Sequence, residues 1–369
     1  MTRFISQKLR FYSFVCIALL LFVHGYNLNE TYLQKDSLVN EPLTFTTFIE
    51  YFLANGVLRF RLPLLFIISG YIFALQDQRP YAERIKKRLV TLIIPFLIWS
   101  AVGLAITYLF QQFPVTAKAV KDAQLDQLGD NRPYNEIGWG GILLRWIVVP
   151  ISYQLWFIKS LFFYNLLYPV LKWMVLKYPR IWFSIVSFLW IIGFGIYLIE
   201  GMGLLFFSLG IWLCKNNYPL DRKPQWFSSY VSWLFFIGLS VIKTFLAFEL
   251  ENDGSNWHSW IFILLYAGSV IAGVMAIWFS TDRLVKWCMG RKWFIWMAAF
   301  AFVIYGMHVP LLPYAIRLSC RYFYNVPNYR LVAYIMVPLM VMFFCMAFGA
   351  LLRALLPKVY KLATGGRGF

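Results

Sequence analysis

Residues 84–111 read RIKKRLVTLIIPFLIWSAVGLAITYLFQ. Four cations in five positions are followed by 23 residues without a single charge. A helix crossing a hydrocarbon core of about 30 Å needs roughly 20 apolar residues, and a cationic block at one end holds that end in the cytoplasm. This stretch therefore reads as one membrane crossing with its start inside. The same pattern recurs along the chain. Candidate spans fall at 11–26, 58–76, 89–111, 152–173, 180–199, 202–214, 226–248, 258–280, 293–314 and 331–352. The expected fold is all-α, a polytopic bundle of about ten transmembrane helices with N- and C-termini cytoplasmic.

The whole chain agrees with that reading. Of 369 residues, 61% are hydrophobic and 14% charged, against about 25% charged in an average soluble domain. Such a composition excludes a disordered chain, an ordinary soluble enzyme and a nucleic-acid-binding domain. The net charge is +18, and its placement explains it. With the N-terminus inside, the inner segments hold 22 basic and four acidic residues, leaving 12 of each elsewhere. The excess lies on one face, as the positive-inside rule requires. One membrane domain over 1–369 is expected, with a cytoplasmic tail over 354–369. The run at 11–26 reads as a retained helix rather than a signal peptide, since no small-residue cleavage site follows it. Residues 41–55 read as an interfacial helix on the outer side. Cys16, Cys214, Cys288, Cys320 and Cys345 form no CxxC pair, so neither a disulfide framework nor a metal site is expected.

Ionisable side chains inside spans are costly and mark function by default. Those here are His24, Arg61, Lys159, Lys243 and His308. At 1.5 Å per residue, His24 and His308 lie roughly 20 and 21 Å from the inner starts of their spans. Arg61 enters from the outer side near the same level. Two imidazoles and a guanidinium at one depth make a polar site in the outer third of the membrane. Lys243 reads as a side chain reaching the outer interface, and His258 as a solvated loop residue. On the opposite face, Arg84, Lys86, Lys87 and Arg88 form a seat for phosphates.

Five blocks together resemble the acyltransferase 3 membrane family: ALLLFVHGYN (18–27), RLPLLFIISGY (61–71), RIKKRLVTLIIPFLIW (84–99), LWFIKSL (155–161) and AFVIYGMHVP (301–310). The resemblance covers roughly residues 10–350. It implies a membrane-bound O-acyltransferase of the bacterial inner membrane that moves an acetyl or related acyl group from cytoplasmic acyl-CoA to a hydroxyl of a cell-envelope carbohydrate or lipid-linked saccharide. Acetyl-CoA is the implied co-substrate, with no permanently bound cofactor. The implied catalytic residues are His24, Arg61, His308 and Lys159. Arg10, Arg84, Lys87 and Arg88 are the implied donor-binding residues, and Ser69, Tyr71, Trp156 and Tyr305 line the site. Two positions depart from the family pattern. Ser13 stands where an arginine is common, with Arg10 one turn earlier, and Thr91 stands where the second arginine of an Arg-x-x-Arg pair is expected after Arg88. Two other readings stay open from the residues: a transporter or flippase for a lipid-linked glycan, and transfer of succinyl rather than acetyl.

Overall fold

The computed structural model describes residues 1–368 except 31, 131, 197 and 251–255. The chain is almost wholly helical. It begins with α1 (Arg3–His24), α2 (Phe45–Tyr51), α3 (Arg61–Leu75), α4 (Tyr81–Arg88) and α5 (Ile94–Gln111). Two outer-loop helices follow, α6 (Pro114–Ala123) and α7 (Tyr134–Ile147), then α8 (Trp156–Lys177) and α9 (Pro179–Ile191). A minimal hairpin, β1 (Gly195–Ile196) with β2 (Ile199–Glu200), leads into α10 (Gly201–Lys215), α11 (Ser229–Glu249) and α12 (Asn256–Ser280). The last part holds α13 (Asp282–Met289), α14 (Lys292–Ala299), α15 (Ala301–Tyr322), α16 (Tyr329–Leu355) and α17 (Pro357–Thr364).

Among the described residues, seven helical stretches are long and apolar enough to cross a membrane, while α9 and α10 are apolar but shorter. Many large apolar side chains face outward, including Leu109, Phe188, Leu264 and Met340. Outward apolar rings and aliphatics suit lipid contact, because lipid tails impose no hydrophobic penalty on them.

Close helix packing rests on small residues. α3 and α10 approach through Gly70 and Gly210. A Cβ on Gly70 would lie 2.2 Å from the Phe207 carbonyl oxygen, and one on Gly210 2.2 Å from that of Ile67. This contact accounts for the glycine in the Ser-Gly-Tyr block. At the inner end, Asp77 ties four helices together. It accepts Arg84 Nη1 at 2.8 Å and Lys172 Nζ at 2.7 Å, and pairs with Lys215. Burial alone would raise its carboxyl, but the hydrogen bonds from Lys172 and Lys215 prevail and hold it well below the ordinary carboxylate range.

Three expectations are corrected. Residues 45–51 do not form a separate interfacial helix. They run on into α3 through a π turn at Phe52–Gly56 and a 3-10 turn at Val57–Phe60. Lys243 does not reach the interface: it is fully buried and donates to the Asn55 carbonyl at 2.9 Å, satisfying backbone freed by that irregular stretch. His258 is buried too, its ring against Trp257.

Candidate active site

The two intramembrane histidines meet. His24 Nδ1 lies 3.2 Å from His308 Nε2. On its other side, His308 Nδ1 lies 2.9 Å from the Ile304 carbonyl and 3.1 Å from that of Tyr305. A carbonyl only accepts, so the proton of neutral His308 sits on Nδ1 and its Nε2 is a lone pair. That lone pair accepts the Nδ1–H of His24. The remaining nitrogen of His24, Nε2, therefore carries a lone pair, and the His24 side chain lines a cavity. The two backbone carbonyls thus fix the tautomers of both rings.

The backbone around His308 is irregular for a reason visible in the sequence. Pro310 has no N–H, and the helical path breaks at Val309 (φ −104°, ψ 129°). The freed carbonyls are satisfied from the turn preceding α8. Ser152 Oγ donates to Val309 O at 2.9 Å, while Gln154 Nε2 reaches the oxygens of Tyr305, Gly306 and Val309 at 3.3–3.4 Å. Tyr305 Oη in turn donates to Gln154 O at 2.5 Å. Ser152 and Gln154 were not identified in the sequence. The prolines at 310 and 313 demanded side-chain donors nearby, but nothing in one sequence says which strand of chain supplies them.

His24 opens into an outer cavity of about 560 Å³. Its walls include Arg59, Arg61, Tyr26, Tyr32, Tyr153, Trp156, Trp190, Tyr266 and Glu200. The Tyr153 ring sits 5.0 Å from that of His24. Arg61 is buried and held by Nε to the Leu58 carbonyl at 2.5 Å, and Arg59 by Nη2 to that of Leu33 at 2.6 Å. The Glu200 carboxylate has no partner among the described residues, and burial pushes its pKa up.

An inner cavity of about 440 Å³ lies on the same helices. Along α1, Arg10, Ser13, Phe14 and Ile17 line the inner cavity, and Leu20, Val23 and His24 the outer. Along α3, Arg61 and Leu62 line the outer cavity, and Leu65, Ile68, Ser69 and Ile72 the inner. Trp156 and Phe157 divide α8 in the same way, and Tyr305 and Pro313 divide α15. These spacings of three and four follow single helix faces. The two cavities are therefore stacked on one axis, and His24 stands where they adjoin.

Not every expected site residue belongs to this axis. His24, Arg61 and Trp156 line the outer cavity, with His308 behind His24, and Arg10, Ser69, Arg88 and Tyr305 line the inner one. Arg84 is turned away into its pair with Asp77, its guanidinium 4.4 Å from the Phe73 ring centroid and 4.7 Å from that of Tyr168. Lys87 is exposed, and Tyr71 lies beside Gly210; neither lines the inner or the outer cavity. Lys159 points elsewhere, donating to the Val148 carbonyl at 2.7 Å.

Comparison with known proteins gives the family. A family model described as an acyltransferase domain matches residues 14–356. The chain is also 24% identical over 323 residues to the succinoglycan biosynthesis protein ExoH of Rhizobium meliloti (strain 1021), covering 86% of this chain and 82% of that one. No solved structure matches significantly. The chain belongs to the acyltransferase 3 family and is a membrane O-acyltransferase.

Proposed function

We propose that this enzyme, in a bacterial inner membrane, takes an acyl group, acetyl or a close relative such as succinyl, from cytoplasmic acyl-CoA and transfers it to a hydroxyl of an envelope polysaccharide or its lipid-linked precursor. The observation that carries this reading is the His24 Nε2 lone pair at the junction of two stacked cavities. The inner cavity, polar at its mouth and apolar along its walls, suits a phosphate-bearing donor with a slender arm. The outer cavity combines aromatic rings with Glu200, Asp36 and several cations. Rings stack on the apolar faces of sugars while carboxylates accept from their hydroxyls. Family membership sets the transport reading aside.

The chemistry follows from the hydrogen-bond chain. His24 Nε2 accepts the proton of the acceptor hydroxyl as its oxygen attacks the thioester carbonyl. The imidazolium so formed keeps its Nδ1–H on His308 Nε2, so its charge is shared within the buried pair. Arg61, with only Nε committed to Leu58, has guanidinium N–H groups left for the developing oxyanion. The C–S bond then breaks as the ester forms, and His24 returns its proton to the departing thiolate.

The test is base-labile acyl ester on envelope glycans, measured by mass spectrometry in cells lacking the protein and in cells making wild type or His24→Ala at matched membrane levels. Ester present only with the wild type is expected, and its mass identifies the acyl group. Equal ester in all three would remove the proposal.

A further inference from the structure

We propose that residues 357–368 complete the inner cavity as a clasp, and that Arg367 supplies there, beside Thr91, a phosphate-binding cation that acts with Arg88 and Arg10 on the acyl donor. This rests on the donor reading above. Arg88 ends α4, and a π turn at Leu89–Ile93 follows it, so that Arg88 and Leu92 line the inner cavity. Thr91, within that π turn, does not line the cavity. Its hydroxyl is buried without a hydrogen bond among the described residues. Its carbonyl accepts Arg367 Nη1 at 2.9 Å, which brings a second guanidinium to the cavity that Arg88 lines.

The segment is built to arrive there. Thr364 ends α17, and Gly365, with φ +59°, turns the chain back. A Cβ at Gly365 would fall 2.5 Å from the Thr91 carbonyl oxygen, and one at Gly368 2.2 Å from that of Ala299. Only glycine permits both contacts. Three further bonds hold the clasp: Trp99 Nε1 to Ala363 O at 2.8 Å, Arg353 Nη1 to Gly368 O at 3.1 Å, and Tyr360 Oη to Ala299 O at 3.3 Å. Trp99 and Tyr360 are themselves buried.

The charges give the ligand class. Arg10, Arg88 and Arg367 line the inner cavity, and among the described residues no carboxylate does. Arg88 makes no hydrogen bond among the described residues, lying instead 5.3 Å over the Phe73 ring. Arg367 commits Nη1 to two backbone carbonyls and lies 4.6 Å over Phe302, leaving Nε and Nη2. Burial, and then the like charge of Arg88, pushes its pKa down to about 10. Uncompensated guanidiniums in a partly closed space call for an anion, and the fork of donors suits phosphate oxygens. The phosphate could belong to a soluble donor or to an anionic lipid headgroup. The apolar shaft leading from the three arginines toward His24 favours the donor. The matched family region ends at 356, so the clasp is a feature of this chain outside that region.

The test titrates coenzyme A, and separately phosphate-free pantetheine, into the full-length protein in nanodiscs of zwitterionic lipid, with and without phosphatidylglycerol. Arg367→Ala should raise the coenzyme A Kd roughly tenfold or more and leave pantetheine binding unchanged. Arg367→Lys should recover part of the loss. Equal coenzyme A binding by wild type and Arg367→Ala would overturn the clasp and leave the donor reading standing. Loss of both ligands with a lowered melting temperature would make Arg367 structural and overturn its ligand role. Absence of coenzyme A binding by the wild type would overturn both readings. Displacement of coenzyme A by phosphatidylglycerol, lost in Arg367→Ala, would assign the seat to lipid and overturn the donor claim.

Discussion

His24 and His308 act as one unit, because each ring fixes what the other can do. Removing the acceptor at 308 leaves His24 free to put its proton on either nitrogen, so the base is lost for part of the time. His308→Ala should therefore lower kcat by roughly 10²- to 10⁴-fold, the range of general base catalysis, with little change in donor KM. His308→Gln places an amide oxygen near the lost Nε2 and should recover a measurable part. Steady-state kinetics on purified protein decides this, and an unchanged kcat in His308→Ala would remove the relay. The two histidines were legible from depth arithmetic, since charge-capable groups inside spans are few. Their contact was not, because adjacency of α1 and α15 leaves no trace in one chain. Lys159 shows the converse: its intramembrane position was legible, but its side chain turns to Val148. Ser152 and Gln154 went unnoticed since polar residues before a span look like ordinary loop. Lys243 misled because a lysine near a span end usually reaches outward, whereas here an irregular turn at Asn55 needed its N–H groups.

At the scale of elements, α3 and α10 show how this bundle is held. Lipid tails supply no hydrophobic drive between helices, so close approach over small residues carries the packing. Gly70→Ala would put a methyl 2.2 Å from a backbone oxygen that cannot swing aside. A loss of about 1–3 kcal/mol is expected from such overpacking, read as a lower melting temperature by tryptophan fluorescence in detergent. Gly238 in α11 provides the control, since a Cβ there meets nothing within 4 Å. Gly238→Ala should be neutral or slightly stabilising. Equal effects at both positions would contradict the packing account. The element order itself was largely readable, because long uncharged runs leave the backbone little alternative in a membrane, but the expected span 180–199 ends in the hairpin after α9 and 293–314 covers both α14 and α15. The breaks were harder. The stretch at 52–60 contains no proline itself, and the Lys243 contact from α11 to the Asn55 carbonyl within it is one that pattern alone does not carry.

For the whole molecule, the charge asymmetry and the two cavities describe one path. Cations gather on the side that the sequence assigns to the cytoplasm, the inner cavity opens among arginines, and the outer cavity is walled by aromatic rings with His24 between them. The reaction class was legible because five sequence blocks lie along that path. The clasp at 357–368 was not, since a short basic segment after the last span looks like a topological signal. The central claim is transfer across the bundle through His24. Its most direct measurement uses proteoliposomes with acceptor glycan trapped inside, labelled acetyl-CoA added outside, and protein oriented with its basic face outward. Labelled ester on the trapped glycan, abolished by His24→Ala, is the predicted result. Label that never crosses, or that crosses equally with His24→Ala, would contradict it.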